Sequence, residues 1–136
     1  MTKAIQACVK PRPKHLGLVE ILFQIRLPLP GKLSILHRLS GVGLFLLLGP
    51  LIALFQLSVT SPEAFRQFQD ISTQPFVRLI LAGLIWAYMH HFCAGIRFLL
   101  MDMHIGVDLL SARRSAVVVF AVSVLLTVIL WWRVLL

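Results

Sequence analysis

The sequence predicts an all-α membrane protein, with three transmembrane helices behind an N-terminal cytoplasmic interfacial segment. Three observations predict it. Of 136 residues, 59% are hydrophobic and 13% charged, against about 45–50% and 25% in soluble domains, and a core this small could not hide so much apolar surface from water. The apolar residues fall into three runs, each long enough to cross about 30 Å of hydrocarbon as a helix. The basic residues crowd toward one end. The length suits one unit, so residues 1–136 are read as a single membrane domain.

Residues 1–32 form the basic N-terminal segment. The formal net charge is +8, from 13 Lys+Arg and 5 Asp+Glu. Seven of these bases (Lys3, Lys10, Arg12, Lys14, Arg26, Lys32, Arg38) precede the first long uncharged run, where orientation signals of inner-membrane proteins lie. No basic face alternates with stacking aromatics, so nucleic acid is not an expected partner. The start lacks the apolar core of a secretory signal and is expected to remain uncleaved. Pro28 and Pro30 disfavour helix and delimit this segment. Cys8 and Cys93 are too few and too far apart for a disulfide framework.

The first predicted span covers residues 33–59 and carries no charge after Arg38. Gly49 and Pro50 predict a kink within it. A polar connector opened by Ser61 and Pro62 follows, with one interfacial helical turn that sets Phe65 and Phe68 on its apolar side. The second span, residues 75–101, has Arg78 and Arg97 near its ends, where both are expected to snorkel to the interfaces. Gly106 stops it. The third span, residues 115–132, has no ionisable group, and Arg113 and Arg114 precede it.

Cytoplasmic loops carry the excess of Lys and Arg. The stretch from the leader through Arg38 holds seven such residues and the second connector region three (Arg97, Arg113, Arg114), whereas the first connector has Arg66, with Arg78 at a helix end. The N-terminus is therefore expected inside and the C-terminus outside, with Trp131 and Trp132 at the outer interface.

Titratable side chains inside an apolar helix cost about 2.5–3.5 kcal/mol on insertion scales, so they mark paired or functional positions. Two groups stand out: Ser34, His37 and Arg38 in the first span, and His90 and His91 in the second. By helical rise His91 lies about 16 Å from Asp102, and Arg38 about 7–8 Å inside the first helix. Because the helices run in opposite directions, the groups reach neighbouring depths on the cytoplasmic side. A neutral imidazole there can ligate iron, and a nearby cation can neutralise haem propionates. His90 is turned about 100° from His91, so the two cannot bind one iron from the same face. Gly95 shares a face with His91 and leaves it flat enough for a porphyrin. Ordinary readings stay open: an interhelical hydrogen bond for His91, an N-cap for Ser34, headgroup anchors for His37 and Arg38, and close helix approach for Gly41, Gly43 and Gly49.

The run Ser34-Ile-Leu-His37-Arg38-Leu-Ser40-Gly41, with His91-Phe-Cys-Ala-Gly95-Ile96-Arg97 and then Asp102, resembles the signature of the cytochrome b membrane-anchor subunits of succinate dehydrogenase. The resemblance covers almost the whole chain. It implies a subunit of a succinate:quinone oxidoreductase in the bacterial inner membrane, with no succinate oxidation by this chain alone and no catalytic residue of its own. Succinate would be oxidised by a flavoprotein subunit, and an iron–sulfur subunit would pass electrons to ubiquinone where it meets the two anchors.

By the same resemblance Ser34 and Arg38 help form the quinone site, Ser34 as a hydrogen-bond partner of a quinone oxygen. His91 is one axial ligand of the iron of haem b, and the second anchor subunit supplies the other. His37 and Arg38 lie near the propionates. The sequence departs from related anchors at Phe98, where histidine is common, and at His90; the resemblance assigns neither a role. Two alternatives remain open: an anchor of fumarate reductase or another quinone-linked dehydrogenase, and a haem-free structural membrane protein.

Overall fold

The computed structural model describes residues 27–135; the expectations for the leader up to Arg26 lie outside the described residues. Four helices follow one another: α1 (Leu29–Thr60), α2 (Pro62–Ser72), α3 (Pro75–Asp102) and α4 (Leu109–Leu135). Of these, α1, α3 and α4 are long and apolar enough to cross a membrane. The all-helical architecture with three such helices is the one the sequence predicts. Helix α3 is central, packing along both α1 and α4.

Helix α1 starts four residues earlier than residue 33. Pro28 is extended (φ −63°, ψ 154°), and its carbonyl accepts from the Gly31 and Lys32 N–H groups at 2.9 and 3.2 Å. Pro30 then sits in the first turn, where a missing N–H leaves nothing unsatisfied. The two prolines therefore launch the helix instead of holding it off. At 32 residues α1 is about 48 Å long, more than a perpendicular crossing needs, and it continues through Pro50.

Ser61 ends α1 and begins α2. Its extended backbone (φ −158°, ψ 165°) stops the first helix, while its Oγ accepts from the Ala64 N–H at 3.1 Å. Pro62 at the first helical position and Glu63 in the first turn complete an ordinary start. The connector is thus an 11-residue helix, longer than the single turn its sequence suggested. Phe65 and Phe68 stack on one side of it at 5.9 Å between ring centres.

Helix α3 ends where His104 and Gly106 take left-handed backbone, φ 60° and 70°. Glycine adopts that region without strain, and histidine does so uncommonly. Asp108 then opens α4: its Oδ2 accepts from the Ser111 N–H at 2.9 Å, an N-cap contact. That hydrogen bond holds the Asp108 carboxyl below its ordinary range. Arg113 and Arg114 consequently lie inside α4 and not ahead of it.

Among the described residues the sealed interior is small. Leu33, Ala94, Ala116 and Val119 form its apolar centre, with Ala112, Ser40, His90, Arg97 and Ser123 also buried. Small residues along the α3–α4 seam let the helix backbones approach closely, as membrane helices do. Large apolar side chains such as Phe45, Leu46, Phe55, Phe76 and Leu79 stay exposed, a surface suited to lipid or neighbouring helices.

Candidate functional site

The two titratable groups meet across the α1–α3 contact. His37 on α1 and His91 on α3 stack with ring centres 4.2 Å apart and planes 12° from parallel. Equal depth, expected from helical rise and opposite direction alone, becomes direct contact. Phe98, two turns further along α3, tilts against the His37 ring with centres 5.1 Å apart.

Hydrogen bonds determine the state of the His91 ring. Its Nδ1 lies 3.0 Å from the His37 backbone carbonyl, and a carbonyl only accepts, so Nδ1 carries the proton and donates. The Ser40 hydroxyl donates to the same carbonyl at 2.9 Å and lies 3.3 Å from His91 Nδ1, leaving an oxygen lone pair toward that N–H. A neutral ring protonated on Nδ1 keeps its lone pair on Nε2. Nε2 has no hydrogen-bond partner among the described residues.

Gly41 permits this approach. A Cβ on Gly41 would stand 2.8 Å from His91 Cε1 and 3.3 Å from Nδ1, closer than carbon atoms tolerate, so no residue with a side chain fits there unless the ring moves. A Cβ on Gly43 would meet nothing within 4 Å. Gly95 faces the other histidine: a Cβ there would lie 3.8 Å from His37 Nε2, an ordinary contact. His37 Nε2 is itself buried without a hydrogen-bond partner among the described residues.

Ser34 and Arg38 stand one turn apart on α1, on a shared face. Ser34 is half-buried and Arg38 exposed. Neither joins the hydrogen-bonded cluster around His91, although Arg38 is the chain neighbour of His37.

His90 faces α4 from another side of α3. It is fully buried, between Trp86 and Phe120 at 5.3 Å each between ring centres, and neither ring nitrogen has a partner among the described residues. It belongs to the α3–α4 interior and does not share the His37–His91 cluster, as the 100° turn requires.

Arg97 departs from expectation. It does not snorkel: it is 5% exposed, its Nε donates to Ser115 Oγ at 2.9 Å and its Nη2 to the Ala112 carbonyl at 3.2 Å. The guanidinium also lies 5.4 Å from the Phe98 ring centre, a cation–π distance. The reason is local to α4. Its early turns bring the Ser115 hydroxyl, which donates to the Ala112 carbonyl at 3.2 Å and so keeps an oxygen lone pair for Arg97 Nε, and that same carbonyl, shared with Nη2, against the guanidinium.

Sequence reasoning missed the contribution of Ser40 and Gly41 to His91. Their positions three and four residues beyond His37 were a usable signal, since that spacing puts them on the His37 side of α1.

Comparison with known proteins adds a separate line. Residues 10–130 match the family model described as Succinate dehydrogenase/Fumarate reductase transmembrane subunit. Three curated relatives carry the name succinate dehydrogenase cytochrome b556 subunit. The one from Rickettsia felis is 29% identical over 133 residues, covering 96% of this chain and 99% of the relative. That from Paracoccus denitrificans is 34% identical, covering 76% and 80%, and that from Coxiella burnetii is 33% identical, covering 82% and 87%.

Proposed function

The chain belongs to the succinate dehydrogenase/fumarate reductase transmembrane subunit family, as a multi-pass membrane subunit of the cytochrome b type, and from that premise we propose that it binds haem b and helps form the ubiquinone site of succinate dehydrogenase. His91 is the axial ligand contributed by this chain. The second membrane-anchor subunit contributes the opposite ligand, and the iron–sulfur and flavoprotein subunits deliver electrons from succinate. The protein spans a bacterial inner membrane three times, N-terminus cytoplasmic and C-terminus periplasmic; the distribution of Lys and Arg supports that orientation.

The observation that carries the reading is the anchored imidazole. Metal-bound histidines donate their other ring N–H to a carbonyl or carboxylate, which fixes tautomer and orientation. His91 donates Nδ1–H to the His37 carbonyl, so Nε2 is the nitrogen free to ligate. His37 Nε2, buried without a partner, is a polar atom suited to the edge of a bound tetrapyrrole, in keeping with a place near the propionates. Haem b, when bound, supplies one-electron transfer and storage, and with two imidazole ligands it has no free position for oxygen.

On the quinone side Ser34 donates to a carbonyl oxygen, and Arg38 supplies positive charge where negative charge develops on reduction. The two share one face of α1, so a single ring could meet both. His37 and Arg38, adjacent in the chain, serve the propionates.

The test is the optical spectrum of the purified complex carrying His91→Ala. The expected result is loss or a shift of the b-type absorption bands. Retention of an unaltered bis-imidazole haem would move the ligand elsewhere, to His37 or His104. The family description also covers fumarate reductase, while the three relatives described above are named for succinate dehydrogenase. Steady-state rates of succinate oxidation against fumarate reduction decide between the two directions.

A further inference from the structure

We propose that Ser40 is a positioning residue for His91: its hydroxyl, together with the His37 carbonyl, sets the orientation and the basicity of the imidazole. The inference rests on the reading of His91 as a haem ligand and deepens it.

The geometry joins three groups: the His37 carbonyl and the Ser40 hydroxyl on one turn of α1, and His91 Nδ1 on α3. The Ser40 hydroxyl spends its proton on the His37 carbonyl at 2.9 Å, the ordinary bond of a helical serine to the carbonyl one turn back. This leaves the oxygen lone pairs as the part of Ser40 that faces His91 Nδ1, at 3.3 Å. The Nδ1 proton therefore lies between two acceptors, the carbonyl at 3.0 Å and the hydroxyl. Ser40 is 7% exposed, so water does not compete freely for these bonds. The absence of a side chain at Gly41 lets the ring come close enough to use both.

Chemically, each acceptor on Nδ1–H draws the proton away from the ring and raises electron density at Nε2. A more electron-rich ligand favours the ferric over the ferrous state of a bound iron. Removing one acceptor weakens that preference and also loosens the ring about its Cβ–Cγ bond. A serine that served α1 alone, by bonding its own backbone, would do neither.

The experiment compares Ser40→Ala and Ser40→Thr with wild type in the intact purified complex, reading haem content, haem midpoint potential and the low-spin electron paramagnetic resonance signal. For Ser40→Ala the expected result is an upward shift of the potential with a changed signal; Ser40→Thr, which keeps the hydroxyl, returns both toward wild type. Haem lost from the alanine variant but kept at wild-type potential in the threonine variant also supports the proposal. An alanine variant with full haem, unchanged potential and unchanged signal overturns it. Loss of haem from both variants overturns it too, because packing and not the hydroxyl would then be decisive. His91→Ala run alongside separates the two readings: an unaltered haem there removes the ligand assignment itself, whatever Ser40 does.

Discussion

The backbone of Gly41 passes so close to the ring of His91 that a methyl group on Gly41 would sit 2.8 Å from His91 Cε1. Helix α1 is thus shaped around one side chain of α3 at one residue, and neighbouring glycines of α1 do not share that constraint.

Gly41→Ala should displace the His91 ring and break its bond to the His37 carbonyl. Overpacking of this kind costs about 1–3 kcal/mol. In the purified complex the melting temperature should fall and the haem content drop. Gly43→Ala, with nothing within 4 Å of its Cβ, should leave both close to wild type. Equal behaviour of the two variants would refute the specific role of Gly41.

His90→Phe should be tolerated. Both ring nitrogens are buried without partners among the described residues, and an unsatisfied buried polar group costs about 1–3 kcal/mol. An apolar ring of similar shape between Trp86 and Phe120 removes that cost. Thermal unfolding should show unchanged or raised stability, by up to about 2 kcal/mol, with the haem bands intact. Loss of haem in this variant would mean that His90 serves the pigment after all.

Arg97→Met should weaken the docking of α4. The guanidinium joins α3 to Ser115 Oγ and the Ala112 carbonyl, and hydrogen bonds to charged groups contribute about 1.5–3 kcal/mol. The detergent-solubilised complex should melt earlier by a corresponding amount. Arg97→Lys, with one compact head in place of a two-point fork, should recover only part of the loss. Full stability of the methionine variant would place the energy of this contact near zero.

Much of this was legible in the sequence because it depends on properties that travel along the chain. Hydropathy and the 1.5 Å rise per residue sufficed for three helices and for the common depth of His37 and His91. The 100° turn between His90 and His91 was enough to separate their surroundings. What the sequence could not disclose depends on the rotation of one helix against another. Arg97 turned inward because Ser115 and the Ala112 carbonyl, 18 and 15 residues away, face it from α4. Ser40 reached His91 for the same kind of reason across 51 residues. Ser34 and Arg38 were readable as one face of α1, and among the described residues Ser34 is half-buried there and Arg38 exposed. The extra turns of α2 were, by contrast, within reach, since Ser61, Pro62 and Glu63 already spell a helix start.

The meagre sealed interior, with alanines and a valine beside a single leucine at its centre, has a cost for the cell. Three long helices held by so little of their own making owe their persistence to whatever lies against their greasy flanks, and mass action then ties their survival to the supply of those companions. An orphaned copy should be short-lived, so its abundance would follow the companions it needs more closely than its own rate of synthesis.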